Sequence, residues 1–272
     1  MAFSFRSLFF YSSFLIFVLL IHPIAHAQIS PPGLDNTNTV LWGSVGIDQN
    51  FGKKWFSRTY AGGSRFSDPN NMSLLKKQAI YVIEQQTYRT FNKHWQLGFC
   101  ISLRGQNMYS EDPPYDSEIP SLRREIRYYM RLYYRHQVGK LSFAYSLRPE
   151  WRNFYSPDWS NYYTQPKGLR YRAKAQVSIP LNVEKTNSLI FMNELLFVEK
   201  QKRQPNGSLA WTPFALSEDR ICVYFRHEFE KEKITFDIGV MQQLNFTKGV
   251  LQDDFVHFAF DILFIDPFTK RK

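Results

Sequence analysis

From residue 122 to residue 135 the chain alternates between two kinds of side chain. Leu122, Ile126, Tyr128, Met130, Leu132 and Tyr134 occupy one set of positions, with Arg124 among them. Arg123, Glu125, Arg127, Tyr129, Arg131, Tyr133 and Arg135 occupy the other. Successive residues of a strand point to opposite faces, so this segment is a strand with one apolar and one polar face. The period returns at 94–104, where Trp95, Leu97, Phe99, Ile101 and Leu103 interleave with Gln96, Gly98, Cys100, Ser102 and Arg104. It returns again at 140–152 and 168–179.

Strand-like segments fill the chain at 40–49, 54–66, 77–90, 94–108, 121–136, 140–155, 168–181, 187–200, 217–230, 233–247 and 254–265. The facing is indistinct in 77–90 and 187–200. Short turns near Gly52-Lys53, Asn92-Lys93, Val138-Gly139, Glu184-Lys185-Thr186 and Lys231-Glu232 alternate with longer polar stretches at 67–76, 109–120, 156–167, 201–216 and 248–253. Segments of this length exceed the five or six residues usual in globular sheets and cover the 9–11 needed to cross a bilayer. The expected fold is all-β: a membrane-spanning, antiparallel up-and-down barrel with lipid outside and charge within.

The count conflicts with that expectation. These segments are odd in number, whereas single-chain bacterial barrels are even. Either the irregular lead before Val40 adds a strand, giving roughly twelve, or 40–49 stands outside a wall of about ten. The expectation adopted is twelve.

Residues 1–27 read as a secretory leader: Arg6, the apolar run Phe9 to Ile21, then Ala25-His26-Ala27. Cleavage after Ala27 leaves one domain over 28–272 and directs it to a bacterial outer membrane. The mean hydropathy of −0.38 fits a barrel, because half of each strand faces a polar lumen. The net charge of +10 suits anionic lipid or small anionic solutes. Nucleic acid is not an expected partner, since the basic residues are spread along strands rather than gathered in one patch. The last segment alternates Val256, Phe258, Phe260, Ile262 and Phe264 with polar or small residues. It resembles the terminal strand by which barrel-assembly machinery recognises its clients, although a tail ending Lys270-Arg271-Lys272 follows it.

Several motifs resemble one bacterial family. They are the Trp42 segment followed by Lys53-Lys54-Trp55, the Arg-rich strands around Arg123 to Arg135, Glu194 to Phe197, and Asp219 to Phe229 with the ITFDIGVMQQ stretch after it. The chain is similar to the domain of unknown function 2490 family, common in Bacteroidetes-type organisms. That resemblance implies a Gram-negative outer-membrane-type barrel and supplies no catalytic residues.

The leading constellation is the inward basic set: Arg123, Glu125, Arg127, Arg131 and Arg135 on one strand, Arg148, Glu150 and Arg152 on the next, and Arg170, Arg172 and Lys174 on a third. Two readings stay open. Such rings of cations concentrate anions in a porin-like channel, or they pair with carboxylates to fill a narrow, occluded barrel. Aromatics near strand ends form an expected interfacial girdle: Trp55, Tyr88, Phe91, Trp95, Trp151, Tyr155, Trp159, Tyr162 and Tyr163. The loop at 156–167 is also a candidate sugar platform, and the basic run Lys200 to Arg203 a candidate contact for lipopolysaccharide phosphates.

Catalysis finds little support. His94, His136, His227 and His257 have no metal-ligand spacing, and no nucleophile elbow or phosphate loop occurs. His257 and Asp261 face one side of the last strand, where a lumen ion pair is expected rather than a dyad. Cys100 and Cys222 read as two unpaired thiols, and no cofactor or metal is expected. The expectation is a non-enzymatic barrel, structural or narrowly channel-like. An outer-membrane enzyme acting on lipid and a soluble periplasmic binding barrel are the alternatives.

Overall fold

The computed structural model describes residues 37–247 and 250–268. The expected leader over 1–27 and the basic end, Lys270 to Lys272, lie outside them. The described residues form strands and no helix. In chain order these are β1 (Thr39–Asn50), β2 (Trp55–Phe66), β3 (Lys77–Thr90), β4 (Trp95–Tyr109), β5 (Ser117–Val138), β6 (Leu141–Tyr155), β7 (Lys167–Pro180), β8 (Asn187–Arg203), β9 (Leu209–Trp211), β10 (Ala215–Phe229), β11 (Ile234–Thr247) and β12 (Val250–Ile265). Each of the segments legible in the sequence is a strand, shifted by a few residues at most. The added one, β9, is a three-residue hairpin partner of Gln201 to Arg203.

Neighbouring wall strands pair antiparallel from β1 to β8 and from β10 to β12. β8 pairs directly with β10, from Ala215↔Val198 to His227↔Asn187, bypassing β9. β1 then pairs with β12 in parallel, from Thr39↔Val256 to Asp48↔Ile265. Twelve strands less the outlying β9 make a closed wall of eleven. The expected even count is therefore corrected, and so is the wholly antiparallel wall. Strand direction alternates around an up-and-down wall, so with an odd number the first and last strands run the same way and must meet in parallel. Parallel pairing is slightly weaker per residue, but it leaves no free edge. The even count is a regularity of known bacterial barrels; closure itself requires only that every edge find a partner.

One consequence is that the two ends of the wall lie at opposite rims. β1 starts at the rim carrying the long connections 67–76, 110–116, 156–166 and 204–214. β12 ends at the rim carrying the short ones, 51–54, 91–94, 139–140, 181–186 and 230–233. The tightest short turn has two residues between β5 and β6, with Gly139 at φ 58°, the left-handed geometry that such hairpins require. The stretch 248–253, expected as a long loop, is mostly strand, because β12 already begins at Val250.

Burial runs inside out. On β5, Tyr128 and Met130 are 50% and 44% exposed, while Arg127 and Arg131 on either side of them are 4% and 8%. On β4, Phe99, Ile101 and Leu103 are exposed and Ser102 and Arg104 are buried. The apolar face of each strand is the outer wall, and the polar face fills the lumen. The lumen is not wholly polar. Trp42, Ile190, Met192, Cys222, Tyr224, Met241 and Ala259 form one buried cluster from β1, β8 and β10 to β12. Val40, Phe66, Ala79, Ile80 and Phe255 form another near the long-loop rim. This explains the indistinct pattern of 187–200: Ile190, Met192 and Leu196 point inward, and Phe191 outward, so β8 is apolar on both faces.

Candidate functional site

The charged side of the lumen is built from β3 to β8 and β10. Alternation places Glu125, Arg127, Arg131 and Arg135 of β5 inward, beside Arg148 and Glu150 of β6 and Arg170, Arg172 and Lys174 of β7. All nine are buried. Arg123 and Arg152, nearer the long-loop rim, are only partly covered.

Carboxylates sit between guanidiniums. Glu125 accepts from Arg127 Nε at 2.5 Å and from Arg152 Nε at 2.5 Å, with Arg104 Nε 4.0 Å away. Glu150 faces three arginines: Arg148 at 2.5 Å, Arg170 at 2.7 Å and Arg172 at 3.4 Å. Arg172 also donates both its Nε and its Nη2 to Glu194, and Arg220 lies 3.7 Å from that same carboxylate. Arg220 in turn binds Glu218. Arg148 lies over the Tyr129 ring, 3.5 Å from its centroid, and reaches within 3.9 Å of Glu84 on β3. One chain of ion pairs therefore runs from Glu84 through Arg148, Glu150, Arg172, Glu194 and Arg220 to Glu218. Two forked pairs stand apart near the short-turn rim: Asp48 with Arg58, cross-strand neighbours on β1 and β2, and Asp237 with Arg226 on β11 and β10.

Burying such charges costs several kcal/mol per ion unless they are paired and hydrogen-bonded. Arginine suits the task because its fork of donors can serve two carboxylates at once. The sequence pattern identified the basic residues of β5 to β7 but missed basic and acidic partners on other strands. Glu84, Arg104, Glu194, Glu218, Arg220, Arg58 and Arg226 were not in the expected set. Their signal was present: Glu218 and Arg220, like Arg148 and Glu150, are opposite charges two apart on one strand and so share a face.

Other expectations are redistributed. Arg123 donates to Gln106 Oε1 at 3.0 Å and lies against Phe154 and Tyr162. Trp55, Phe91 and Trp95 are exposed at the short-turn rim, and Trp151 and Trp159 towards the long-loop rim. Tyr88 does not belong with them: it is 2% exposed, inside the lumen, and stacks on Phe56. Gly98 lets it lie there, since a Cβ at that position would stand 2.4 Å from the ring. In the 156–167 loop, Arg124 covers Trp159, Arg123 approaches Tyr162 and Arg203 covers Tyr163. Each ring thus already has a guanidinium against it, which weakens the case for a sugar platform. Lys200 to Arg203 are the end of β8 rather than a loop, and Arg203 donates to the carbonyls of Tyr163 and Gly207.

His257 and Asp261 both face inward, as expected, but neither joins an ion pair among the described residues. His257 Nε2 meets Gln243 Oε1 at 3.1 Å, while Asp261 accepts from Trp42 Nε1 at 3.1 Å and from Ser44. Hydrogen bonds to uncharged partners, Gln243 on β11 and Trp42 and Ser44 on β1, replace the expected salt link. Cys100 and Cys222 are free and buried, on β4 and β10. Outside the wall, the Asp68 carboxylate is gripped by Lys76 and Lys77. Burial acts to raise its pKa, but the two ammonium groups outweigh it and hold the carboxyl below its ordinary range.

Among curated proteins and solved structures, none matches this chain. A family model does, over residues 39–253, from the first wall strand into the last, and its description is "protein of unknown function". With most of its length covered, the chain belongs to that family, DUF2490.

Proposed function

We propose that this protein is an exported outer-membrane wall protein whose lumen is sealed by its own side chains, with a structural rather than a conducting role. One observation carries the reading: at mid-height the inward residues are all but inaccessible while the outward ones are apolar and open. Trp42 is 0% exposed, Arg220 1% and Glu150 2%, whereas Phe99 and Tyr128 are each 50% exposed. Water in a through-channel would leave lumen arginines accessible. An apolar outer belt this continuous suits acyl chains and is costly in water.

In this reading the leader over 1–27 exports the chain, and assembly machinery engages β12. Lipid covers the belt, with Trp55, Trp95 and Trp151 near the headgroup level. Exposed cations such as Lys202 meet lipopolysaccharide phosphates. A soluble periplasmic barrel would have to expose the same belt to water. A lipid-cleaving enzyme needs a serine and a histidine together at the lipid boundary, and His94, just before β4, and Ser102, within it, are not together. Ser102 is inside the lumen, while His94 Nδ1 is engaged by the Arg135 carbonyl. No catalytic step is assigned.

Fractionation and planar-bilayer recording test this together. The protein should require detergent for extraction and give no resolved unitary conductance. Recovery in the soluble periplasm would refute the membrane assignment. A steady anion current that falls on Arg127→Ala with Arg131→Ala would refute the seal and restore the anion-pore alternative.

A further inference from the structure

Apolar side chains dominate the outer wall, and an amide–carboxylate pair interrupts them between β8 and β10. Successive cross-strand partners lead from Trp95 at the short-turn rim through Tyr134, Tyr145 and Ala175 to Asn193. They continue through Ile221, Gln242 and Val256 to Thr39 at the long-loop rim. Asn193 is four steps from either end of that line, so it stands at mid-height of the wall. Its side chain is exposed on the outer face, between Phe191 and Leu195 along β8 and opposite Ile221 on β10.

Asn193 Nδ2 donates to Asp219 Oδ1 at 2.5 Å and makes a longer contact, 3.4 Å, with the Arg220 carbonyl. Asp219 is partly exposed and also accepts from the Arg220 backbone N–H. Among the described residues, nothing donates to the Asn193 amide oxygen, and Asp219 has no ion-pair partner. Among acyl chains an amide oxygen without a donor and an acid without a cation are both costly. The wall beside them is low. β7 turns Ala173 and Ala175 outward, opposite Leu195 and Asn193, and small side chains let a second backbone approach closely.

Depth selects the occupant. Acyl chains offer no hydrogen bond at mid-height. A second copy inserted in the same direction carries the same amide at the same depth. Primary amides are self-complementary, since the N–H of each can meet the oxygen of the other. We propose that two copies of this chain pair in the membrane through the β7, β8 and β10 face, with Asn193 against its counterpart across a two-fold axis. Each Asn193 keeps its bond to Asp219 and exchanges the long contact with Arg220 for the other copy's amide oxygen. The pairing rests on the membrane reading proposed above. Another outward polar pair, Thr59 with Gln85, is uncharged and closes on itself, so it serves as a control.

Energy transfer between reconstituted copies tests it. Pro205→Cys places a thiol on the exposed turn after β8, while Cys100 and Cys222 are buried away from label. Donor- and acceptor-labelled chains are mixed in liposomes of increasing lipid content. Insertion is scored first, by flotation with the liposomes, and folding by the migration of unheated samples. Transfer in the parent should persist when the lipid is raised about tenfold. Asn193→Leu should weaken association by about tenfold or more. Ala175→Trp should do the same, because it keeps the amide and blocks only the approach. Gln85→Leu should leave association unchanged. A chain that does not float contradicts the membrane reading and the pairing together. One that floats but shows only random transfer overturns the pairing alone, as does transfer unmoved by either variant or lost with Gln85→Leu instead.

Discussion

Arg148 on β6 and Glu84 on β3 stand 3.9 Å apart, although two wall strands separate them in sequence order. That contact is a chord across the lumen, resting on the face of Tyr129. It ties together walls that no backbone hydrogen bond connects, and it obstructs the barrel at mid-height.

The chord depends on Glu150, which holds Arg148, Arg170 and Arg172 at once. Removing that carboxylate leaves three buried guanidiniums short of a partner. Glu150→Ala is expected to destabilise the barrel by about 3–5 kcal/mol, the range for breaking a buried pair from one side. Adding Arg148→Met to it should restore part of the loss rather than deepen it, because the double change removes a stranded charge. Urea-unfolding midpoints of the two variants against the parent check both statements.

The parallel seam offers a separate test. Gly43 of β1 pairs with Phe260 of β12, and a Cβ at Gly43 would stand 2.4 Å from the Phe260 ring. Gly43→Val must therefore displace the ring from the seam, at about 1–3 kcal/mol for an overpacked site. Phe260→Ala in the same chain should relieve most of that strain. If Gly43→Val unfolds at the parent's midpoint, β1 and β12 do not pack as described.

The Asp68 loop should respond to acid. Its carboxyl is held below the ordinary range by Lys76 and Lys77, against the effect of burial. A depressed carboxyl stabilises the folded loop fully above its unfolded value, and the contribution disappears as pH falls through the folded one. Hydrogen-exchange protection over 67–76, taken relative to the intrinsic rate at each pH, should therefore be unchanged between pH 8 and pH 6 and fall as the solution is acidified below the usual carboxylate range. Asp68→Asn should show the low protection at every pH.

Much of this architecture was legible in the sequence, and the parts that were not share a cause. Strands β4 to β7 announce themselves because nearly every inward position is polar and the outward ones mostly apolar, so the two-residue period survives in the text. β8 hides its facing because its inner side packs on Trp42 and Met241. β9 is too short to carry a period at all. The parallel closure could not be read locally: it joins Thr39 to Val256, and nothing near either residue encodes the other. The same holds for the site. The arginines of β5 to β7 were visible as a pattern, but Glu194 serving Arg172, or Glu84 facing Arg148, depends on which strands become neighbours and which stand opposite one another.

The most direct test of the inside-out barrel compares two indoles in bilayers whose acyl chains carry bromine, a contact quencher. One protein keeps Trp42, 0% exposed inside the lumen, as its only tryptophan; the other carries only Ile101→Trp, at an outward mid-wall position 47% exposed. The indole at position 101 should lose most of its emission on bromination of the chains, and Trp42 should keep nearly all of its own. Equal quenching of the two, or an unaffected indole at 101, would contradict a wall that turns its apolar face to lipid and its charge inward.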